Sequence, residues 1–161
     1  MGLHLSGRED FLKSFNGAAE LIRKHSEKGE TIQIVTHSDA DGIAAGGIVG
    51  RVVRRLEAPF KISCEQRVDE KLVEAVADES PSLVVFTDLG SGYLDMMQKH
   101  LADVDTIVLD HHLPLEVHSP RLMHINPIKH GLDGSREISG AGLAYLLGRA
   151  MNGGNLDLSI F

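Results

Sequence analysis

Three short apolar runs in this chain break into charge at their carboxyl ends: TIQIVTHSDADG (31–42), LVVFTDLG (83–90) and TIVLDHH (106–112). Continuous β-branched and aliphatic runs of this length are what strands covered on both faces of a parallel sheet require. In open sheets of that kind, ligands bind in the crevice beyond the carboxyl ends of the strands. That geometry gathers His37, Asp39, Asp41, Asp88, Asp110, His111 and His112 in one place. So many carboxylates cannot crowd together unpaired, because mutual repulsion would force several to protonate. A divalent metal resolves the conflict.

The segments between the runs carry the helical period. Residues 9–28 place Phe11, Leu12, Phe15, Ala18, Ala19 and Ile22 on one stripe, ended by Gly29. After a strand over 31–36, the stripe of Ile43, Ala45, Ile48, Val49, Val52, Val53 and Leu56 predicts a second helix. Strands follow at 60–64, 83–87, 106–109 and 122–126, with helices over 69–78, 91–101 and 139–151, the last opened by Ser139 as N-cap. The alternation predicts an α/β fold: a doubly wound, mainly parallel sheet of about five strands flanked by helices. Loops are expected at 113–120 and 127–138, the second long enough to serve as a lid or substrate loop.

A chain of 161 residues is about one domain and buries on the order of 70% of its unfolded surface, so its core needs no staple. The single cysteine, Cys64, has apolar neighbours and reads as a core thiol in a reducing compartment. The amino-terminal residues contain no apolar leader, and no stretch approaches the ~18 apolar residues of a membrane span. A soluble, cytoplasmic protein with no membrane partner is expected. The net charge of −7 argues against a generic nucleic-acid-coating protein, although several of the acids belong to the proposed site. The segment NGGNLDLSIF (152–161) reads as a turn and the start of a fresh apolar element, so a piece of a longer protein is expected.

Each motif has a plain reading beside the chemical one. In HSDADG, His37, Asp39 and Asp41 share one side of an extended chain, yet Asp41 before Gly42 also reads as a helix N-cap. The helix starting there aims free N–H groups at any bound anion. Asp88 in TDLG reads as a cap or a ligand. The adjacent His111 and His112 have no packing purpose at a strand end, and one can face a metal while the other faces substrate. Carboxylate and imidazole ligands without thiolate suit Mn(II) or Mg(II), with Zn(II) or Co(II) as further possibilities.

HSDADG, TDLG and LDHH, in that order and at roughly this spacing, resemble the first three motifs of the DHH phosphoesterase family. The similarity is greatest to the RecJ-like branch, and within it to archaeal single-strand exonucleases that associate with the GINS replication complex. SGAG (139–142), after the Asn126–Pro127 pair, also resembles that subgroup. The resemblance implies two Mn(II) ions, with Mg(II) or Co(II) as alternatives. One would be held by His37, Asp39 and Asp88, the other by Asp41, Asp88 and His111, with Asp88 bridging. It further implies that His112 contacts the scissile phosphate and that Asp110 orients the histidines. The implied activity is metal-dependent phosphodiester hydrolysis by an exonuclease acting on single-stranded DNA or RNA. The alternatives are a phosphatase or nanoRNase for short oligonucleotides or cyclic dinucleotides, and a catalytically weak replisome scaffold that partners GINS. The scaffold reading predicts eroded ligands, yet every ligand position of these motifs is filled.

The chain departs from the family pattern in one respect. The fourth motif's aspartate beyond the SGAG helix is missing, as is the carboxy-terminal substrate-binding domain. Residues 1–161 therefore read as a DHH catalytic domain cut before that motif, binding metal incompletely and weakly active or inactive alone. Asp133 and Asp157 do not match the motif and read as solvated loop residues. Ser139, Gly140 and Arg51 are candidate substrate contacts, although Arg51, Arg54 and Arg55 also read as a solvated helix face. Gly46, Gly47 and Gly50 inside a helix each cost about 1 kcal/mol against alanine and suggest close packing on the sheet. His124 and His130 flank the Asn126–Pro127 loop; His130 reads as a surface histidine or a substrate contact, and His4, His25, His100 and His118 read as surface histidines.

Overall fold

In the computed structural model, which describes residues 2–160, strands and helices alternate along the chain. The strands are β1 (Ile32–His37), β2 (Phe60–Glu65), β3 (Leu83–Thr87), β4 (Asp105–Leu109) and β5 (Leu122–Ile125). All pair in parallel, in the order β2-β1-β3-β4-β5. The helices are α1 (Gly2–Glu27), α2 (Ala40–Arg55), α3 (Glu70–Asp78), α4 (Leu94–His100) and α5 (Gly140–Met151). Short 3₁₀ turns lie at Ser91–Tyr93, Pro127–His130 and Asn155–Ile160. This is the doubly wound α/β fold that the alternation predicts. Among the described residues, no helix is long and apolar enough to cross a membrane.

Both faces of the sheet are covered at its centre, which explains why β1, β3 and β4 are mostly apolar and buried. Ile32, Ile34, Leu83, Val85, Ile107 and Leu109 point to a core shared with Phe15, Ile22, Ile48, Val52 and Leu147 of α1, α2 and α5. The intervening Val35, Val84, Phe86 and Val108 point to a second core with Val73, Val76, Leu94 and Met97 of α3 and α4. The chain leaves β1 for β2 on one side and returns to β3 on the other. The strand order therefore reverses between β1 and β3, and it is there that α/β sheets open a crevice.

Several expectations change in the structure. The first helix runs back to Gly2, and Leu12 of its stripe is 52% exposed. The helix expected over 91–101 is split, because Gly90 adopts φ +114° and the 3₁₀ turn precedes α4. Cys64 is exposed rather than a core thiol; β2 is an edge strand, and Ile62, two residues earlier on the same strand, is also 39% exposed. Of the α2 glycines, a Cβ at Gly46 would press on Thr36 and one at Gly50 on Ile62, whereas Gly47 faces open space. After a turn at 153–154, the end of the chain starts a helix as read, the 3₁₀ helix Asn155–Ile160, with Leu158 buried at 1% exposure. Arg55 accounts for Asp157, which is not simply solvated: its guanidinium donates to both carboxylate oxygens of Asp157 and to Asn155 Oδ1.

His25 is the clearest correction among the histidines. It is 4% exposed at the carboxyl end of α1, where Nδ1 contacts Glu30 Oε2 at 2.5 Å and Nε2 contacts Asp105 Oδ2 at 3.0 Å. Helix α1 is thereby tied to the start of β4, and Arg121 adds a bond to Asp105 at 2.9 Å. His100 is also partly buried, with Glu70 at 3.0 Å. His118 is exposed as expected, and the side chain of His4 lies outside those described.

Burial pushes the Asp105 carboxyl up, but its bonds to His25 and Arg121 outweigh this and leave it below 3.8. A group lowered on folding stabilises fully above its unfolded value and loses that contribution as pH falls through the folded one. Urea unfolding should therefore show Asp105→Asn flattening the loss of stability on acidification below about pH 4. His25→Ala should cost about 2–3 kcal/mol near neutrality, because it strips a buried carboxylate of a partner. An unchanged urea midpoint in His25→Ala would refute that tie.

Candidate metal centre

The carboxyl ends of β1, β3 and β4 converge at the switch point. β1 ends at His37, and Asp39, still extended, becomes the N-cap of α2, its Oδ1 accepting the Gly42 N–H at 2.8 Å. The capping role foreseen for Asp41 thus falls to Asp39. Helix α2 begins at Ala40, so Asp41 is turned out of phase with its neighbours and toward α5. Its two oxygens accept the N–H groups of Gly140 and Ala141 at 2.7 and 2.9 Å, meeting the positive end of that helix. Hydroxyls brace the two strands, since Thr87 donates to Thr36 at 2.7 Å and Thr36 donates to the Gly42 carbonyl at 2.5 Å.

Asp88 stands directly after β3 with φ +60° and is 1% exposed. A left-handed conformation at a non-glycine residue is uncommon and persists only where the surroundings fix it. Here the Asp88 N–H donates to the Leu109 carbonyl at 2.8 Å. Its side chain lies between two imidazoles: Oδ1 is 3.0 Å from His111 Nε2, and Oδ2 is 3.8 Å from His37 Nδ1. His37 Nδ1 is also 3.0 Å from Asp39 Oδ2, and His111 Nε2 is 3.7 Å from Asp41 Oδ2. A Cβ at Gly140 would come within 2.5 Å of Asp88, so only glycine lets α5 start this close to the carboxylate.

The outer nitrogens of both rings are held by the backbone. His37 Nε2 contacts the Gln66 carbonyl at 3.2 Å, and His111 Nδ1 contacts the Gly134 carbonyl at 2.5 Å. The inner nitrogens are left facing the carboxylates, an arrangement that aims imidazole ligands at a shared ion. Asp110 holds the DHH turn instead of the His111 ring. Its Oδ1 accepts the His111 N–H at 2.8 Å and faces His112 Nδ1 at 2.7 Å. The rings of His111 and His112 lie 4.6 Å apart, and the His112 side chain is 58% exposed to the cleft.

Charge follows from these contacts. Burial raises the Asp88 carboxyl above 3.8, opposed by His111 and reinforced by Asp41 and Asp39. The Asp88 carboxylate beside it raises His111 to about 9 against the effect of burial. Asp110 raises His112 in the same way. Burial pushes Asp110 up, yet His112 and the backbone and hydroxyl of Ser91 prevail and hold it at about 2. The Gly42 N–H keeps Asp39 low.

A divalent cation fits these residues. His37 Nδ1 and Asp88 Oδ1 are buried without an aligned hydrogen-bond partner, despite the short distances to their neighbours. Such atoms cost about 1–3 kcal/mol each when left unsatisfied. One donor atom from each of His37, Asp39 and Asp88 falls within 4.8 Å of the others, and the same is true of Asp88, His111 and His112. Asp88 belongs to both groups. The set is wholly carboxylate and imidazole, which suits Mn(II), Mg(II) or a similar ion.

The other sequence candidates are placed less directly. Ser139 caps α5, its Oγ accepting the Gly142 N–H at 3.2 Å, and the Gly140 N–H is taken by Asp41. Arg51 is exposed on α2, ten residues beyond Asp41, or about 15 Å along the helix; the structure does not bring it to the cluster. His130 packs its ring on Phe11 at 5.3 Å instead of facing the centre. The segment 127–138 forms a wall, with Ile128, Leu132 and Gly134 lining a cavity of ≈ 680 Å³ beside His111 and His112. Asp133 is exposed and accepts the Ser135 N–H at 2.9 Å. Sequence reasoning missed Ser91, His124 and the Gly134 carbonyl, none of which sits in a motif.

Comparison with known proteins agrees with this geometry. The description "DHH family, N-terminal domain" matches residues 31–159. An uncharacterized protein of Methanocaldococcus jannaschii is 34% identical over 135 residues, 80% of this chain and 30% of that one. The single-stranded-DNA-specific exonuclease RecJ of Thermus thermophilus is 29% identical over 142 residues, 84% of this chain and 21% of that one. The chain thus spans less than a third of the length of either relative. The crystal structure of Thermus thermophilus RecJ in complex with Mn2+ superposes with a TM-score of 0.73 at 26% identity, over 88% of this chain and 21% of that one. CDC45 from Entamoeba histolytica, at 16% identity over 88% of this chain and 30% of that one with a TM-score of 0.67, shares the fold. Three strand-end motifs, the sheet order and a match over most of its length agree: the chain belongs to the DHH family, carries its N-terminal domain and has RecJ-like homologues.

Proposed function

We propose that this chain is the catalytic domain of a two-metal phosphodiesterase that removes nucleotides from single-stranded DNA or RNA. The observation that carries this reading is the buried Asp88 carboxylate shared by two clusters of metal-type ligands. His37, Asp39 and Asp88 would hold one ion, and Asp88 and His111 the second with Asp41, whose Oδ2 lies 3.7 Å from His111 Nε2, leaving His112 for substrate; Mn(II) is the natural occupant, with Mg(II) or Co(II) as alternatives. A bound pair of such ions supplies an activated water and offsets charge on the phosphoryl oxygens.

The chain's own groups then have distinct tasks. Asp110 accepts the proton of His112 Nδ1, favours the cationic ring and directs Nε2 into the cleft, where the imidazolium Nε2–H can donate to a phosphate oxygen. Asp41 links the centre to the start of α5. The single-strand preference is supported by the RecJ relative, which is described as single-stranded-DNA-specific. Substrate length and end polarity would depend on regions of the full-length protein outside the matched span. A cytoplasmic, replication-associated role with GINS as partner rests on the motif resemblance alone, and a pull-down of the full-length protein with GINS subunits tests it.

Hydrolysis of a long labelled single strand and of a dinucleotide, each with Mn(II), tests the substrate reading; turnover of the dinucleotide alone would overturn it. In the full-length protein, Asp88→Ala should lower Mn-dependent hydrolysis about a thousandfold or more, while circular dichroism shows a folded chain. Retained turnover would remove Asp88 from its bridging position. Gly140→Ala should displace the Asp88 carboxylate and weaken Mn(II) binding about 10–100-fold by calorimetry.

A further inference from the structure

Behind the DHH turn lies a buried polar group that none of the three strand-end motifs contains. Asn126 is 0% exposed, and both hydrogens of its amide are used: one bonds Ser91 Oγ at 2.9 Å and the other the His112 carbonyl at 2.8 Å. Its Oδ1 accepts the Ile128 N–H at 2.9 Å, which starts the 3₁₀ turn. Ser91, also 0% exposed, donates its N–H to Asp110 Oδ2 at 2.8 Å and accepts the Leu115 N–H on its carbonyl at 2.7 Å. His124 Nε2 lies 2.9 Å from Ser91 Oγ, and its Nδ1 is buried without a partner. The residues come from β5 and from the turn after β3, yet their bonds end on the flanks of one short segment, Asp110 to Leu115.

We propose that Asn126 is a positioning residue that acts through His112, fixing its backbone directly and its ring by way of Ser91 and Asp110. The inference rests on the phosphodiesterase reading for its kinetic consequence but not for its structural one. His112 is the one histidine of the cluster whose side chain is mostly solvent-exposed. An exposed ring on a loop has rotamer freedom that must be removed before it can meet a reacting phosphate. Asp110 removes it at Nδ1, and Ser91 holds the other oxygen of Asp110 so that the carboxylate cannot swing. Asn126 holds the carbonyl of the same histidine, so ring and backbone are pinned to one buried amide. Fully satisfied buried amides of this kind impose a single geometry, because any departure leaves a buried donor unpaired. Burial holds His124 at about 4, so it backs Ser91 as a neutral ring and adds no charge beside Asp110.

The test uses the full-length protein with Mn(II) and a labelled single strand. Asn126→Ala should lower kcat about 10–100-fold and leave KM within about twofold. In a His112→Ala background the same change should have no further effect, since coupled residues fail to add. Ser91→Ala, a smaller excision, should show a weaker loss with the same non-additivity, and it decides the matter if Asn126→Ala does not fold. Long-range ¹H–¹⁵N spectra supply a readout independent of turnover: His112 Nδ1–H should show a single hydrogen-bonded signal in the native protein and an exchange-averaged one in Asn126→Ala. An equal loss in both backgrounds, a loss confined to KM, or an unaltered His112 ring would overturn the proposal. Absence of hydrolysis by the native protein would instead overturn the phosphodiesterase reading and leave the spectra to decide the positioning role.

Discussion

A carboxylate removed from water between two imidazoles is the constraint around which this fold is arranged. Asp88 sits where β1 and β3 diverge, in a backbone conformation that side chains other than glycine seldom adopt. Both halves of the sheet contribute to holding it there. The Leu109 carbonyl fixes its backbone, the Thr36–Thr87 pair ties the strands beneath, and a glycine at the start of α5 leaves room for it. Burial alone would drive this carboxyl toward its neutral form; the nearby histidines, and a cation where one binds, favour the charged one.

The two-sided core provides the rigidity such an arrangement needs. Helices α1, α2 and α5 cover one face and α3 and α4 the other, so the central strands β1, β3 and β4 are locked by side chains pointing both ways. The candidate ligands then project from strand ends whose relative heights are set by the parallel register, with Thr36 opposite Thr87 and Thr87 opposite Leu109. Precision at the centre therefore derives from packing at a distance from it. The sheet order matters for the same reason, because the crevice opens where the order reverses between β1 and β3, and β4 beside β3 is near enough to add its own end to it.

Much of this was legible in the residues. The strand over 83–87 reads off directly, since a run covered on both faces must be apolar throughout, and Ser139 announces the last helix by its capping chemistry. What was not legible involves partners distant in sequence. Cys64 looks like a core residue until β2 proves to be the edge of the sheet. His25 looks solvated until Glu30 and Asp105 close around it. The period-two argument placed Asp41 beside Asp39, but the helix starts one residue earlier than alternation allows, and Asp39 takes the cap. Ser91 and Asn126 gave no signal of their connection, because hydrogen bonds across 35 positions leave no trace in local pattern.

The grip of Asp41 on the Gly140 and Ala141 amides joins positions 99 and 100 residues apart. Its effect is mechanical coupling: the last helix cannot slide or tilt on the sheet without dragging the first-strand loop along. Disturbance at the rear of the domain, where Leu158 and Gly148 meet, would in this way be felt as a change of spacing among the acids at the front.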